Sequence, residues 1–371
     1  MATVKAADKV NIFDLSYSGL KEFIISSGEP AFRADQILGW VYQKSATSFD
    51  EMTDLPQPLR EKLTGLAVIS TLTLVEERVS RDGKTRKALF RLDDGNTIET
   101  AYMAYRDGGT QARGTVCVSS QVGCAVRCPF CATGQQGFIR NLTGGEIIEQ
   151  VLYFKRTLSH GNKDGRRPVT NVVFMGMGEP LANYDNVVAA VRMLNSSRGL
   201  GLAARQITIS TSGLALQIRR LADDNIRVEL AVSLHAATDE LRGYLVPVNR
   251  TCPLKELMAA CRYFYGKTGR RPTFEWALFR GINDSPFQAE ALAHLLRGLN
   301  AHVNLIAGNR ADGDAFQPSG MKQVKAFKEE LKRNGVLATI REARGQDIEA
   351  GCGQLRSRYL ELAETGSNAK S

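Results

Sequence analysis

Four of the seven cysteines of this 371-residue chain lie close together, between positions 117 and 131. Cys124, Cys128 and Cys131 follow a C-x3-C-x2-C pattern, and thiolates this close in sequence can reach one metal centre without long-range folding. An iron–sulfur cluster is normally held by four cysteines. With only three, one iron keeps an open position for a substrate or cofactor, as in catalytic metal sites. The pattern therefore predicts a catalytic iron–sulfur centre.

Two other interpretations of the cysteine motif stay open at this point. A structural zinc ion requires four ligands, and Cys117 is the candidate for the fourth because the chain has only four histidines. The remaining interpretation is a set of buried thiols without a metal. Gly123, Arg127 and Gly134 argue against it, since they are typical of a loop and not of a core stripe.

Glycines and hydrogen-bonding side chains follow four predicted strands, each at the point where the strand ends. In α/β barrels and open parallel sheets, the carboxyl ends of the strands meet on one face, where ligands bind. Glycine lets the backbone approach a ligand, and Glu179 can pair with an ammonium group. The residues that this pattern predicts to line a ligand site are Gly176, Met177, Gly178 and Glu179; Ser210 and Thr211; Ser233, Leu234 and His235; and Asn309.

These residues require a frame of alternating strands and helices. Apolar extended runs are separated by helical patterns, one of which places Ile147, Ile148 and Val151 on one face. Such alternation predicts a parallel sheet with crossover helices, open or closed into a barrel. Cys252 and Cys261 belong to a helix between two of these runs and are predicted to be structural. The predicted strands are 171–175, 206–209, 228–233, 273–279, 303–306 and 336–340.

The first part of the chain has a different organisation. Leu20, Phe23 and Ile24 recur at helical spacing, whereas from about residue 68 apolar and polar residues alternate as in strands. Asp93-Asp94-Gly95-Asn96 is typical of a hairpin turn. We predict a helical module at 1–70, a β linker at 71–113, a main domain at 114–345, a mobile loop with the C-terminal segment at 346–363, and a disordered tail at 364–371.

The composition is that of a globular protein. Hydrophobic residues make up 43% and charged residues 23%, which excludes wholesale disorder, collagen and membrane channels. Forty-eight Lys and Arg against 39 Asp and Glu give a net charge of +9 and a pI near 9.2, as expected of a nucleic-acid binder. An odd number of cysteines, no apolar signal region and no spanning apolar window predict a cytoplasmic protein with reduced thiols and no membrane association.

Four longer motifs extend the analysis along nearly the whole chain. They are Cys117-Val-Ser-Ser-Gln-Val-Gly-Cys124, Met175-Gly-Met-Gly-Glu-Pro180, Ser233-Leu-His235, and Asp347-Ile-Glu-Ala-Gly-Cys352-Gly-Gln-Leu355. Together with the cysteine spacing and Phe130, they resemble the RlmN/Cfr family of radical S-adenosylmethionine (SAM) RNA adenosine methyltransferases. The resemblance implies an α/β fold, a radical SAM partial (β/α)6 barrel with a small N-terminal helical accessory domain and a β linker.

The resemblance also implies the cofactors. Cys124, Cys128 and Cys131 would bind a 4Fe–4S cluster, and the free iron would chelate the amino and carboxylate groups of SAM. One electron would split SAM and give a 5′-deoxyadenosyl radical; its donor, flavodoxin-type or similar, is not identified by the sequence. The residues that would contact SAM are Gly178, Glu179, Ser210, Ser233, Leu234, His235 and Asn309.

A protein-bound methyl carrier follows from the same resemblance. Cys352 would accept a methyl group from one SAM, and the radical from a second SAM would convert it into a methylene radical that adds to adenine. Glu99 would take the ring proton, and Cys117 would attack Cys352 to free the product, leaving a transient disulfide. Gly351 and Gly353 suit a loop that moves into the active site. From chemistry alone, Glu99 lies on an alternating strand, where a solvated face is the default.

Glu179-Pro180 favours the branch of the family that methylates carbon 2 of adenosine, because the branch that methylates carbon 8 usually has Ala in place of Pro180. The implied substrates are adenosines in the peptidyl-transferase region of 23S rRNA and beside the anticodon in certain tRNAs. Basic runs could track the RNA phosphates while the target base leaves its stack. These runs are Arg78, Arg81, Lys84, Arg86 and Lys87; Lys163, Arg166 and Arg167; and Lys267, Arg270 and Arg271.

Three alternatives remain beside this function. One is a carbon-8 adenosine methyltransferase, and another is a glycyl-radical activase, which would not need a methyl-carrying Cys352. The third is a non-catalytic, zinc-stabilised RNA-binding protein.

Overall fold

The frame of the protein is one ten-stranded sheet. The computed structural model of the chain describes residues 9–106, 112–159, 167–307, 315–341 and 345–348. The strands are β1 Val10–Asn11, β2 Ala67–Val68, β3 Thr73–Val79, β4 Thr85–Arg91, β5 Thr97–Arg106, β6 Ala112–Cys117, β7 Gln121–Gly123, β8 Phe138–Asn141, β9 Asn171–Phe174, β10 Ile207–Thr211, β11 Glu229–Ser233, β12 Thr273–Leu278, β13 His302–Ala307 and β14 Leu337–Arg341.

Helices connect and cover these strands. They are α1 Tyr17–Ser26, α2 Arg33–Leu38, α3 Gln57–Leu66, α4 Ala132–Gln135, α5 Gly144–Ser159, α6 Tyr184–Asn195, α7 Ala215–Asp223, α8 Asp239–Leu245, α9 Leu254–Thr268, α10 Pro286–Leu295 and α11 Met321–Arg333. Within the described ranges, no helix is long and apolar enough to cross a membrane.

The strand order of the large sheet is β14-β13-β12-β11-β10-β9-β6-β5-β4-β3. From β14 to β6 all neighbours are parallel, and each of the six predicted strands is present to within two residues at either end. The helices α6, α7, α9, α10 and α11 lie between successive strands in the chain. The predicted parallel sheet with crossover helices is therefore confirmed.

The parallel strands curl into a partial barrel. Arg341 ends β14, and its Nη1 lies 3.8 Å from Sδ of Met175, which directly follows β9. These two strands are five positions apart in the sheet order. A contact over that distance requires the sheet to bend round, because neighbouring strands are spaced about 4.8 Å apart.

The antiparallel strands β3, β4 and β5 continue the same sheet. β5 pairs with β6, and Ala101 lies opposite Cys117. The predicted hairpin turn connects β4 to β5, where Gly95 adopts a φ of +84° that suits glycine. The segment predicted as a β linker thus belongs to the same continuous sheet as the barrel strands.

The N-terminal helices pack on the barrel through α5. Glu149 of this helix accepts hydrogen bonds from the Asn11 side chain, the Ser70 hydroxyl and the Thr71 and Leu72 amides at 2.8 to 3.1 Å. Buried apolar residues of the module and of the barrel belong to one continuous core.

Two cysteines predicted to be structural lie in that core. Cys252 and Cys261 are both buried, and burial raises the pKa of Cys261 to about 12.

Candidate active site

The cysteine motif forms a closed loop between β7 and β8. The Cys124 amide donates to the Gly137 carbonyl at 2.9 Å, and the Cys131 amide donates to the Cys128 carbonyl at 3.0 Å. Gly123 has a φ of +72°, and a Cβ at this position would lie 1.8 Å from the Gly137 carbonyl oxygen. The three motif thiols are partly exposed and form no disulfide. Local hydrogen bonds therefore hold all three cysteines in one short loop.

Aromatic packing seats this loop on the barrel. The ring of Phe130 stands edge-on to His235 with centroids 5.1 Å apart, and it lies 5.1 Å from Phe279. Arg127 adopts a left-handed φ of +57°, which is uncommon for a residue other than glycine. Such backbone strain concentrates at functional sites.

The motif thiols influence one another electrostatically. Burial raises the pKa of Cys124 to about 12 and that of Cys128 further upward, and the neighbouring motif thiols add to both effects. Among the described residues, no group of three or more Cys, His, Asp or Glu side chains could hold a single metal ion. Tetrahedral zinc requires its ligands to converge on one ion, whereas the thiolates of an iron–sulfur cluster each bind a different iron. Three thiolates in one loop thus fit the cluster that the sequence predicts.

A buried hydroxyl beside the motif supports the same conclusion. Thr133 lies two residues after Cys131, and its Oγ1 is buried without a hydrogen-bond partner among the described residues. Buried polar groups are almost always paired. An unpaired donor next to three thiols fits a site whose bound group completes the hydrogen bonding.

The loop after β9 brings Gly178 and Glu179 to the same edge of the sheet. Gly178 has a φ of +100°, and a Cβ there would lie 2.5 Å from Cβ of Gln121. Glu179 is buried, and its carboxylate accepts the amides of Leu181 at 3.0 Å and of Ser212 at 2.6 Å. Burial raises the pKa of Glu179 despite these bonds. The carboxylate thus connects the ends of β9 and β10.

The segment after β11 completes this edge. Ser210 and Ser233 lie near the ends of β10 and β11, and Leu234 and His235 follow directly and are buried. Nδ1 of His235 accepts the Ala277 amide at 3.0 Å, so the neutral ring carries its proton on Nε2. Burial lowers the pKa of His235 to about 3. Sequence-predicted residues from three strands therefore meet at one edge.

Sequence reasoning missed Arg242, which is fully buried on α8. Its Nη2 donates to the carbonyls of Ser212 and Ser233, and its Nη1 donates to Asn249 Oδ1 at 2.9 Å. Burial lowers the pKa of Arg242 to about 10. The arginine holds the ends of β10 and β11 together. A charged residue on a short helix carries no sequence signal for such a role.

Glu99 is buried, contrary to the solvated face that its alternating strand suggests. Its Oε2 lies 3.0 Å from Nζ of Lys87, and both side chains are almost fully buried, at 4% and 3% exposure. On the sheet, Lys87, Ala101 and Cys117 lie side by side across β4, β5 and β6. The predicted proton acceptor and the predicted resolving cysteine therefore share one face.

One hydroxyl connects this face to the glycine-rich loop. Ser119 Oγ donates to the Glu99 carbonyl at 2.6 Å and accepts the Met177 amide at 2.9 Å. The two groups of predicted site residues are thus parts of one site.

The prediction of a basic run that tracks phosphates does not hold for Lys87, because its ammonium group is buried and paired with Glu99. Arg78 and Arg86 of the same run form ion pairs with glutamates of β3 at 2.7 and 3.1 Å. Lys163 and Arg166 lie outside the described residues.

Two predicted site residues, Asn309 and Cys352, also lie outside the described residues. The nearest described segment before Cys352 is the turn at Gln346–Ile348. There the Asp347 carboxylate accepts the Arg81 amide at 2.7 Å, so this segment packs on the turn between β3 and β4.

Two known families match this chain. The ribosomal RNA large subunit methyltransferase N-terminal domain family matches residues 10–69, and the radical SAM superfamily matches residues 118–292. The chain is 46% identical over 353 residues to the dual-specificity RNA methyltransferase RlmN of Alcanivorax borkumensis, covering 94% of this chain and 91% of that protein. It is 44% identical over 348 residues to the probable dual-specificity RNA methyltransferase RlmN of Geobacillus thermodenitrificans, covering 94% and 93%.

A crystal structure leads to the same family. A radical SAM methyltransferase from Sphaerobacter thermophilus matches with a TM-score of 0.88 and 48% identity, over 93% of this chain and 98% of that one. The predicted radical SAM fold is confirmed, and the chain is an enzyme whose cofactors are a 4Fe–4S cluster and SAM. By identity and coverage, the chain belongs to the RlmN family of radical SAM RNA methyltransferases.

Proposed function

We propose that this enzyme transfers a methyl group to carbon 2 of adenosine in 23S rRNA and tRNA, acting in the cytoplasm with electrons from a flavodoxin-type donor. The observation that carries the proposal is the meeting of the cysteine loop, the Glu179 loop and the Glu99–Cys117 face at one edge of the barrel. Pro180, the residue that favours carbon 2, is buried directly after Glu179. The relatives' name, dual-specificity RNA methyltransferase, supports two RNA substrates.

Cys124, Cys128 and Cys131 are proposed to hold the cluster, which when bound supplies the electron that cleaves SAM. The proposed SAM contacts come from two groups of residues. The glycine-rich loop offers close backbone approach at Gly178, and the buried side chains near the ends of β10 and β11 offer hydrogen bonds. The contacts are Gly178, Glu179, Ser210, Ser233, Leu234, His235 and Asn309.

Glu99 is proposed to accept the adenine proton. The ion pair with Lys87 holds the buried carboxylate in place and offers it a compensating positive charge. Lys87 therefore positions the proposed base.

Cys352 is proposed to carry the methyl group, and Cys117 to release the product. Cys117 is partly exposed on the same face as Glu99 and carries no disulfide. Attack on Cys352 requires that the Cys117 thiol be accessible from the barrel. The helical module at 1–70 is proposed to contact RNA, and the loop at 346–363 to bring Cys352 into the site.

The test is mass spectrometry of nucleosides from rRNA and tRNA after anaerobic incubation of the reconstituted enzyme with SAM and a reductant. We expect 2-methyladenosine in both RNAs, and none with Cys352→Ala. Cys261→Ala is the matched control, since Cys261 is a core thiol and its loss leaves the site intact.

Other outcomes would contradict distinct parts of the proposal. Formation of 8-methyladenosine would contradict the choice of carbon 2. Cleavage of SAM without any methylated adenosine would contradict RNA as the substrate. A colourless protein with zinc and no iron would contradict the cluster.

A further inference from the structure

Three charged side chains act on the Cys117 thiol at the barrel edge, namely Lys87, Glu99 and Arg341. Lys87 and Glu99 lie on one side of it, in the buried ion pair. On the other side lies Arg341, whose guanidinium forms an ion pair with Glu275 at 3.5 Å. The Lys87 ammonium group lies 3.0 Å from the Glu99 carboxylate. The Arg341 guanidinium lies farther from its partner, at 3.5 Å from the Glu275 carboxylate.

Arg341 reaches Cys117 through the curl of the sheet. Its Nη1 lies 3.8 Å from Sδ of Met175, and the Met175 backbone forms a hydrogen bond with the Cys117 thiol. Glu275 is buried on β12 and also accepts the Asn304 amide at 2.9 Å. The guanidinium is therefore held between Glu275 and Met175, next to the thiol. Tyr105, on β5, lies on the other side of Arg341.

We propose that Arg341 is a positioning residue that stabilises the thiolate of Cys117 for product release. This inference rests on the proposed function, because the release step gives the thiolate its purpose. In that step a bond forms between the Cys117 and Cys352 sulfurs, and the bond from the Cys352 sulfur to the methylene carbon breaks. The electron pair of the broken bond and one proton go to the carbon and complete the methyl group.

A nearby cation favours the Cys117 thiolate, because burial of the thiol opposes its ionisation. Burial raises the pKa of Cys117 to about 11, and the Arg341 and Lys87 charges oppose that rise. Thiolate, not thiol, is the nucleophile in exchange reactions. Without Arg341 the thiolate fraction at neutral pH falls further, and release slows.

The test measures the thiolate directly and does not require RNA. The holoenzyme is treated with iodoacetamide between pH 7.5 and 9.5, and the alkylation rate of Cys117 is read by mass spectrometry of its peptide. We expect Arg341→Gln to lower this rate about tenfold, the effect of about one unit in the pKa. Arg341→Lys retains the charge and should stay within about twofold of the unsubstituted enzyme.

Two further variants separate charge from general loosening. Glu275→Gln removes the competing anion, so we expect faster alkylation, a shift opposite to that of Arg341→Gln. Arg270→Gln is the matched control, because Arg270 forms a similar ion pair with Glu229 at 2.6 Å near the amino end of β11. It should leave the Cys117 rate unchanged.

An unchanged rate in Arg341→Gln, or an equal fall in Arg270→Gln, would overturn the proposal. So would a Cys117 thiol that iodoacetamide does not reach in the unsubstituted enzyme, because Cys352 must reach it too. Failure of RNA methylation with an intact alkylation pattern would contradict the proposed function and leave the Arg341 effect standing.

Discussion

The buried pair of Lys87 and Glu99 is costly, and its position explains why it is present. Removing two charges from water often costs as much as their attraction returns, so hydrophobic residues would serve stability equally well. The pair lies beside Cys117 on the barrel wall, where a charged carboxylate has a use as a proton acceptor. The proposed role of Glu99 therefore accounts for this pair better than stability does.

Breaking the pair from one side should be far more harmful than replacing both residues. We expect Lys87→Met to lower the free energy of unfolding by about 3–5 kcal/mol, because the buried Glu99 loses its oppositely charged neighbour. Adding Glu99→Gln should restore most of the loss, as measured by urea denaturation. The control is Lys84→Met, whose exposed pair with Asp82 at 4.0 Å should be worth about 0–1 kcal/mol. A similarly small loss for Lys87→Met would show that water reaches the pair.

His235 should make the protein sensitive to acid. Its pKa is about 3 in the fold and 6.5 in the unfolded chain, so between these values the unfolded state binds more protons. Stability therefore falls as pH drops below about 6.5, by about 1.4 kcal/mol per unit from this residue. His235→Asn, which tolerates the positive φ of +58°, should flatten this dependence in denaturation curves at pH 4 to 7. An unchanged slope would contradict the burial of a neutral ring.

At the scale of elements, the β7–β8 hairpin determines where the thiols lie. The hairpin closes through Gly123 and Gly137, and Phe130 fixes the loop between them against the barrel. The hairpin register shifts between Val122 and Gly123, at the point where the chain turns into the cysteine loop. A short hairpin with glycine at the close approach thus positions all three cysteines.

Gly123→Ala should reduce cluster binding more than Gly137→Ala does. Both glycines have a positive φ, but only a Cβ at Gly123 meets another atom, the Gly137 carbonyl oxygen. We expect iron per protein after anaerobic reconstitution to fall severalfold for Gly123→Ala and to change little for Gly137→Ala. Equal losses in the two variants would show that backbone strain, and not the contact, is what matters.

At the scale of the whole molecule, the helical module and the barrel are joined through Glu149. Its carboxylate is buried and accepts hydrogen bonds from both ends of the module. Burial raises the pKa of Glu149, and the four donors oppose that rise. A carboxylate in this position orients the module relative to the barrel.

Glu149→Ala should loosen this attachment. The buried donors would lose their acceptor, so we expect a loss of about 2–3 kcal/mol in the free energy of unfolding. Glu61→Ala, at an exposed position on α3, should change it by less than about 0.5 kcal/mol. Hydrogen exchange at Thr71 and Leu72 would report the local effect, and unchanged protection there would contradict the role of Glu149.

Features that depend on neighbouring residues could be predicted from the sequence alone. The C-x3-C-x2-C loop, the six parallel strands and the turn around Gly95 follow from spacing, periodicity and glycine conformation. The meeting of Glu179, Ser210 and Ser233 at one edge of the sheet follows as well, because parallel strands present their carboxyl ends on one edge. These are local or topological properties, and the chain specifies them over short distances.

The tertiary structure alone decided which charges are buried and what they face. Lys87 belongs to a basic run in the sequence and yet pairs with Glu99, and Arg341, which is distant in sequence, approaches Met175 and opposes the rise that burial causes in the pKa of Cys117. Strand alternation does not tell which face is covered, and spacing does not tell how far a sheet curls. Such partners become neighbours only when the strand order and the curvature of the barrel bring them together, because both arise from packing over the whole sheet.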